Sequence, residues 1–265
     1  LKAFFRPEYS HQRNLATPNH YAYLKVAEGC NRKCSFCSIP LIKGNYASRP
    51  LEELEREARF LADTGVKEVN LIAQDLSYYG YDLHKKAMLP ELMRRLDGMR
   101  SFEWIRMLYA YPAGFPTDVL DLMRDSSHIC QYLDIPVQHI SDRILKAMRR
   151  GHSRKQTYQV LSLIKNKLPR VTLRTTLLVG YPGETDRDFN ELLEFIREVR
   201  FDRLGVFTYS EEEGTHAAQT SRDDVPQRIK EERADAIMRL QQEISYRKNM
   251  EKIGQTLPIL IDSDD

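Results

Sequence analysis

Cysteine and tryptophan are scarce in this sequence, which has 4 cysteines and 1 tryptophan among 265 residues. So few cysteines exclude a secreted scaffold held together by disulfides. Neither sign of charge is in excess, since 40 Lys and Arg oppose 38 Asp and Glu. This balance argues against a purely electrostatic nucleic-acid binder, and no apolar run approaches the roughly 18–20 residues that span a bilayer. The remaining composition, 42% hydrophobic and 29% charged, is that of a folded globular protein.

Hydrophobic periodicity alternates between strand-like and helix-like segments along the chain. Strands are predicted at 21–27, 68–73, 104–109, 131–137, 171–179 and 203–209. Helices are predicted in the same alternation at 50–64, 90–99, 117–124, 142–149, 154–167 and 186–199. Such β-then-α units in succession favour an α/β protein whose parallel sheet carries helices on its outer side. Right-handed crossovers would curl the sheet into a partial (β/α)6 TIM-like barrel, and a doubly wound open sheet is the alternative.

The chain beyond the last of these units contains a long charged helix and a short apolar stretch. The helix is predicted at 226–254, with Ile237 and Ile244 on its apolar side, and we expect it to pack on the last strands because few heptads are present. The stretch 255–261 is expected to be the first strand of a further unit that has been cut off. Because the sequence begins with Leu1, we expect it to be a piece of a longer protein.

A second alternation places polar side chains opposite the apolar side chains of the predicted strands. Successive side chains of a strand point to opposite faces, so the apolar set should lie under the helices and the polar set should converge inside the barrel. The inward set is predicted to be Lys25, Asn70, Gln74, Arg106, Asp134, Gln138, Arg174 and Thr176. A purely structural barrel would fill its interior with Val, Ile and Leu. The pattern therefore favours a ligand chamber, with a solvated network of salt bridges as the alternative.

Three of the cysteines, Cys30, Cys34 and Cys37, lie within eight residues just after the first predicted strand. In a barrel this position is the C-terminal mouth, where functional sites are built. Three thiolates on one loop can hold three irons of a 4Fe–4S cluster and leave the fourth iron open. Structural zinc is the alternative, although it prefers four ligands, and Cys130 is distant and is expected to be a buried thiol. Clustered thiols in a cysteine-poor chain also indicate a reducing, cytoplasmic compartment.

The cysteine loop and several other segments resemble a known family. The segment GCNRKCSFC (29–37) is similar to the signature of the radical S-adenosylmethionine (SAM) superfamily, whose fold is a full or partial β/α barrel. Segments 39–50 and 179–185 resemble the methylthiotransferase branch of that superfamily. Segments 20–25, 73–75 and 132–139 are similar to the members that methylthiolate an aspartate of the small-subunit ribosomal protein S12. The tRNA (adenosine) methylthiotransferases of the MiaB type are the alternative, and segments 20–25 and 134–139 disfavour them.

This resemblance implies an enzyme with two cofactors, a 4Fe–4S cluster on Cys30, Cys34 and Cys37 and SAM bound at the open iron. It implies reductive cleavage of SAM to a 5′-deoxyadenosyl radical that takes hydrogen from the substrate aspartate. A second 4Fe–4S cluster is expected only in a missing N-terminal domain, and a reductant such as flavodoxin or ferredoxin is expected as a partner. No catalytic residues are expected beyond the cluster and the radical. The alternative that is not an enzyme is a non-catalytic Fe–S or zinc binding module.

The resemblance also implies a domain organisation. Residues 1–18 would be a linker from the missing N-terminal domain, 19–254 the radical SAM barrel, and 255–265 the start of a truncated TRAM domain. Neither a membrane nor direct nucleic-acid contact is expected for this piece.

Six residues are expected to contact SAM, and each has a structural alternative. Phe36, in the cysteine loop, is expected to lie against the adenine. Gln74 and Gln138, at the ends of predicted strands, are expected to bind the ammonium group and the ribose hydroxyls, respectively. Phe36 could instead anchor the loop.

The other three residues are Arg150 and Arg174, which could pair with the carboxylate of SAM, and Gly180, whose backbone could approach the adenine. Both arginines could instead form structural salt bridges. Gly180 begins a Gly-Tyr-Pro-Gly turn, followed by Thr185 and Asp188 as a helix N-cap pair, and that turn alone would explain it.

Overall fold

The computed structural model describes residues 14–261 and shows a barrel-like α/β fold within them. Its strands are β1 Tyr21–Lys25, β2 Ala27–Glu28, β3 Ala47–Ser48, β4 Glu68–Ile72, β5 Trp104–Met107, β6 Ile129–Asp134, β7 Thr172–Val179 and β8 Arg203–Thr208. Its helices are α1 Ile39–Lys43, α2 Leu51–Asp63, α3 Tyr81–His84, α4 Leu89–Met99, α5 Asp118–Asp125, α6 Asp142–Ala147, α7 Arg154–Lys167, α8 Asp186–Val199, α9 His216–Thr220 and α10 Gln227–Met250, with a 3-10 turn at Leu76–Tyr78. Each predicted strand is present.

The main sheet has six strands in the order β1-β4-β5-β6-β7-β8, and every neighbouring pair is parallel. The order follows the chain without reversal, which excludes the doubly wound alternative. Within the described residues β1 pairs only with β4 in this sheet and β8 only with β7, so the barrel is open between them. The partial (β/α)6 barrel is confirmed.

The apolar parity of the strands lies under the helices, as the alternation predicts. Leu24, Leu71 and Leu133 are fully buried on this face, together with Leu177 of β7. The helices meet them with apolar stripes at 3.6-residue spacing, for example Leu192, Phe195, Ile196 and Val199 of α8. This layer forms the core.

The polar parity lies on the concave face, where the strand register brings oppositely charged side chains together. Asn70 is in register with Arg106, and Asp134 with Arg174. Arg106 Nε donates to Glu68 at 2.6 Å, and Arg174 Nη1 donates to Asp134 Oδ2 at 2.7 Å. The salt-bridge alternative is thus correct for part of the inward set. Asp134 Oδ1, however, is buried and has no hydrogen-bond partner in the described chain. The concave face therefore keeps one buried acceptor without a hydrogen bond.

The long helix α10 packs on the last strands, as expected. Ile237 and Ile244 are buried, and the side chain of Gln241 donates to the carbonyl of Phe201 at 2.9 Å. The apolar stretch 255–261, expected to be a strand, has no regular secondary structure here. The expected linker lies mostly outside the described residues, as does the end of the expected TRAM segment.

The turn after β7 has glycines at two positions with left-handed backbone angles. Gly180 has φ +72°, and a Cβ atom built there would lie 2.3 Å from Lys230 Cγ. Lys230 is buried and held by the carbonyl of Tyr209 and by Asp223, so it has little room to move. Gly183 has φ +80°, and its Cβ would meet only Arg143 Nη1, at 3.6 Å.

We therefore expect Gly180→Ala to destabilise the protein more than Gly183→Ala, as measured by urea denaturation. Both variants incur the left-handed penalty of about 1–2 kcal/mol. Only Gly180→Ala also forces a side chain against Lys230, which should cost about 1–3 kcal/mol more. Equal losses in the two variants would contradict the close packing of Lys230 on this turn.

The N-cap pair at the start of α8 is confirmed as a capping box between Thr185 and Asp188. Burial acts to raise the pKa of Asp188, but hydrogen bonds from Ser141, Thr185 and Arg143 outweigh it and hold the pKa well below its usual range. A carboxyl whose folded pKa is depressed stabilises the fold above its unfolded pKa, and that contribution is lost as the pH falls towards the folded value.

We expect Asp188→Asn to lower the free energy of unfolding at pH 7 and to flatten its fall below about pH 4, the unfolded pKa of Asp. Urea denaturation across that pH range measures both effects. Glu194, an exposed carboxylate of the same helix with no ion pair within the described residues, is the matched control as Glu194→Gln. Parallel acid profiles for Asp188→Asn and the unaltered protein would show that the cap is not the titrating group.

Candidate cofactor site at the mouth of the barrel

The cysteine loop leaves β2 and is clamped where it begins. Gly29 has φ +71°, and a Cβ atom there would lie 2.2 Å from the carbonyl oxygen of Asn45, so only glycine fits. Cys30 N donates to the carbonyl of Gly44 at 3.2 Å, and Tyr46 N donates to Asn31 Oδ1 at 3.0 Å. The departing and returning arms of the loop are therefore held side by side, continuing the β2–β3 ladder.

The middle of the loop is held at one buried residue, Ser35. Its backbone N donates to Met148 O at 3.0 Å, and its carbonyl accepts from Ala217 N at 2.7 Å. Its hydroxyl and that of Tyr181 lie 2.8 Å apart in a hydrogen bond. The segments after β6, β7 and β8 thus all fix the cysteine loop. This gives the Gly-Tyr-Pro-Gly turn a role that its sequence alone did not reveal.

The three cysteines line one cavity of about 360 Å³ at the C-terminal ends of the strands. Its other walls come from the cysteine loop, α1, the residues after α6 and the start of α9, and include Arg32, Lys33, Leu41, Asn45, Arg149, Gly214 and His216. The three cysteines therefore lie together at the mouth of the barrel, and their role as cluster ligands stays a prediction.

Each of the three sulfurs accepts a hydrogen bond from nitrogen. Cys30 Sγ accepts from the backbone N of Arg32 at 3.4 Å, Cys34 Sγ from Arg150 Nη1 at 3.1 Å, and Cys37 from the backbone of Ile39. Burial raises the pKa of Cys30 to about 11 and also raises the pKa of Cys37. Three partly buried sulfurs with N–H donors suit ligands of an iron–sulfur cluster, whose thiolates are stabilised by such bonds and by the metal.

Within residues 14–261, no three His, Cys, Asp or Glu side chains converge on a point where they could hold a single metal ion. A zinc site requires that convergence, whereas the thiolates of a 4Fe–4S cluster each bind a different iron. Cys130 lies on β6 beside Arg106 and Glu68, away from the loop. The donor set therefore fits a cluster with three protein ligands better than it fits zinc.

Three of the predicted SAM contacts lie around this mouth. Phe36 packs against a buried apolar cluster that includes Met148, Tyr181 and Tyr209, so it anchors the loop whatever else it contacts. Gln74 is exposed just beyond the end of β4. Gln138 has φ +69°, a strained backbone angle for a side-chain-bearing residue, and bridges to β7 at Leu177.

The other three are already engaged by protein groups. Arg150 is buried and uses Nη1 on Cys34 and Nη2 on the carbonyl of Pro136, leaving only Nε without a partner among the described residues. Arg174 pairs with Asp134 but is about one-third exposed to the concave face. Gly180 N donates to Glu184 Oε2 at 2.8 Å, and its lack of a side chain is accounted for by Lys230. A role for any of them in SAM binding stays a prediction.

Sequence reasoning missed a stack of side chains beside Cys34. The ring of Tyr111 lies between two guanidinium groups, with Arg32 Cζ at 4.0 Å and Arg150 Cζ at 4.3 Å from its centroid. Arg32 Nε also donates to the buried Asp75 at 2.7 Å. The signals available were Asp75 at the end of β4 and the arginine inside the cysteine motif, but nothing in the sequence joined them to Tyr111.

Comparison with known proteins agrees with this site. The sequence model of the Radical SAM superfamily matches residues 24–196, which include the end of β1, the cysteine loop and β2 to β7. The chain belongs to the radical SAM superfamily. The family's cofactors are a 4Fe–4S cluster and SAM, and the three cysteines of the mouth are the residues that would hold the cluster.

Within the superfamily, the relatives of high identity are methylthiotransferases. The ribosomal protein uS12 methylthiotransferase RimO of Prosthecochloris aestuarii is 53% identical over 262 residues, covering 99% of this chain and 60% of that protein. RimO of Bacteroides fragilis is 53% identical over 251 residues, covering 95% of this chain and 58% of its own length. The chain thus spans about 60% of the length of these relatives.

Solved structures with the same fold are more distant in sequence. The radical SAM methyltransferase TsrM from Kitasatospora setae has a TM-score of 0.63 and 17% identity, covering 75% of this chain and 38% of that chain. Coproporphyrinogen III oxidase (HemN) from Escherichia coli has a TM-score of 0.63 and 17% identity, covering 86% of this chain and 54% of that chain. These likenesses support the fold alone.

The site makes a direct prediction about the cysteines. After anaerobic reconstitution we expect about four irons per chain, and single Ser substitutions at Cys30, Cys34 or Cys37 should abolish most of this iron, because each removes one of only three protein ligands. Cys130→Ser is the matched control and should retain it. Iron and sulfide analysis measures the result. Loss of iron in the Cys130 variant alone would contradict the assignment.

Proposed function

We propose that this chain is the radical SAM domain of a methylthiotransferase that modifies an aspartate of ribosomal protein S12. The observation that carries this proposal is the identity of 53% over 99% of the chain with a protein named for that reaction. At such identity, over a whole domain that contains the cofactor site, relatives usually share their chemistry. The segments 20–25 and 132–139 point the same way.

The proposed division of labour follows the geometry of the mouth. Cys30, Cys34 and Cys37 would hold the cluster, which would supply the electron for the cleavage of SAM. The protein's own residues would bind SAM, orient it and exclude water from the mouth. Phe36, Gln74, Gln138, Arg150, Arg174 and Gly180 remain the proposed SAM-binding set. Of these, Arg174 lies near the start of β7 on the concave face, and Gln138 lies just beyond β6, where its backbone bridges to Leu177 of β7.

The concave face also supports a peptide substrate. It is open along the gap between β1 and β8, and aromatic side chains stand beside its charged groups: Tyr23 is 40% exposed and Phe207 is 64% exposed. Arg106 stacks on Tyr132, with its Cζ 4.8 Å from the ring centroid. Aromatic surface and partly exposed arginine together suit an extended peptide that carries an acidic side chain.

Further parts of the activity are proposed from the same relationship. The second 4Fe–4S cluster would be carried by an N-terminal domain, and a TRAM domain would follow residue 254. A small acidic reductant such as flavodoxin or ferredoxin would supply electrons. No helix in residues 14–261 is long and apolar enough to cross a membrane, and a ribosomal substrate favours a cytoplasmic location.

The alternatives are weaker. A tRNA methylthiotransferase of the MiaB type would share the cluster and SAM residues, but no observation favours it over the ribosomal substrate. A non-catalytic Fe–S or zinc module would not need a half-open chamber with an unpaired buried carboxylate oxygen, such as that of Asp134.

The substrate is tested with the full-length protein that carries this chain, reconstituted anaerobically and supplied with SAM, a sulfur source and a chemical reductant. Purified S12 and bulk tRNA are offered in parallel. We expect mass spectrometry to find the added methylthio group on one aspartate of S12 and none on tRNA. Modification of tRNA alone would overturn the proposal, and SAM cleavage without modification of either would leave only the superfamily chemistry.

A further inference from the structure

Arg150 is a buried cation whose partners within residues 14–261 include no carboxylate. It is 4% exposed, and its hydrogen bonds go to Cys34 Sγ at 3.1 Å and to the carbonyl of Pro136 at 2.6 Å. Its Nε is buried without a partner. A buried charge without a counter-charge is strongly unfavourable, so an anion is expected within reach of this guanidinium. The group in reach is the sulfur of Cys34.

The backbone holds Arg150 in this position. Arg149 and Gly151, on either side of it, have φ of +55° and +66°, so the chain reverses sharply after α6. Arg150 N donates to the carbonyl of Leu145 at 3.0 Å, and the Tyr111 hydroxyl donates to the carbonyl of Arg150. The side chain is thereby directed from the end of α6 back to the cysteine loop, 116 residues earlier in the chain.

Tyr111 lies against the Arg150 guanidinium group, whose Cζ is 4.3 Å from the ring centroid. Arg32 Cζ is 4.0 Å from the same centroid, and the Tyr111 oxygen lies 4.0 Å from Cys34 Sγ. Arg32 is neutralised by Asp75, whereas Arg150 is not paired in this way. The nearby His152 adds no charge, because burial, and then Arg150 itself, lower its pKa to about 4.

We propose that Arg150 is a positioning residue for the cluster: it donates a charge-assisted hydrogen bond to the ligated sulfur of Cys34 and raises the cluster's reduction potential, with Tyr111 holding it in place. A fixed positive charge and an N–H···S bond both stabilise the more negative, reduced cluster, so both move the potential upward. This inference rests on the cluster assignment and not on the choice of substrate.

The test uses the reconstituted full-length protein and Arg150→Gln, Arg150→Lys and Tyr111→Phe. A redox titration followed by electron paramagnetic resonance (EPR) measures the midpoint potential in the signal that responds to SAM, which distinguishes this cluster from the second cluster expected in the full-length protein. At a fixed potential, we expect Arg150→Gln to lower the ratio of reduced to oxidised cluster about tenfold, a shift of about 59 mV for one electron. Arg150→Lys keeps the positive charge but loses the two-pronged guanidinium group, so its midpoint potential should lie between those of Arg150→Gln and the unaltered protein. Tyr111→Phe keeps the ring and should change the potential less than Arg150→Gln does.

Lys146→Gln is the matched control, because it removes one positive charge from an exposed position of α6, the helix that ends just before Arg150. Its potential should equal that of the unaltered protein. An unchanged potential and EPR spectrum in Arg150→Gln would overturn the inference. If Arg150→Gln does not fold, Arg150→Lys decides: a potential and spectrum identical to those of the unaltered protein would overturn it as well. The iron content of the unaltered protein tests the cluster assignment separately, and modification of S12 tests the proposed function.

Discussion

The site depends on one constraint, which is that a short loop must present three partly buried sulfurs to a common cavity without collapsing. Sulfurs in a loop cannot rely on a regular ladder for their position, so neighbouring elements must supply it. Gly29 allows the two arms of the loop to lie in contact, and Ser35 ties its middle to the segments after β6, β7 and β8. The barrel is therefore the frame that positions these sulfurs.

This frame explains why features far apart in the sequence are constrained together. The turn after β7 keeps its glycine because Lys230 of α10 packs beneath it, and the same turn supplies the Tyr181 hydroxyl to Ser35. The long terminal helix therefore supports the cysteine loop through one intermediate turn. A substitution on α10 can then disturb the cofactor site without touching it.

Much of the fold could be predicted because its signals are local. Alternating side chains identified every strand of the sheet, and the pair Thr185 and Asp188 identified the start of α8. The three cysteines were predictable because their spacing lies within one loop. The stack of Arg32, Tyr111 and Arg150 was not, because its members are separated by 39 residues or more and meet only after the barrel forms. The sequence likewise did not show that Arg174 would pair with Asp134 and Arg106 with Glu68, because these pairs depend on the register of neighbouring strands.

The central claim is that three cysteines hold a cluster with one iron open to SAM. The most direct measurement is the EPR spectrum of the anaerobically reconstituted, reduced protein, recorded with and without SAM. The account predicts that SAM changes the spectrum, because it binds the iron that lacks a protein ligand. A spectrum that SAM leaves unchanged in folded protein with a full complement of iron would contradict it, and the loop would then be a metal-stabilised structural element.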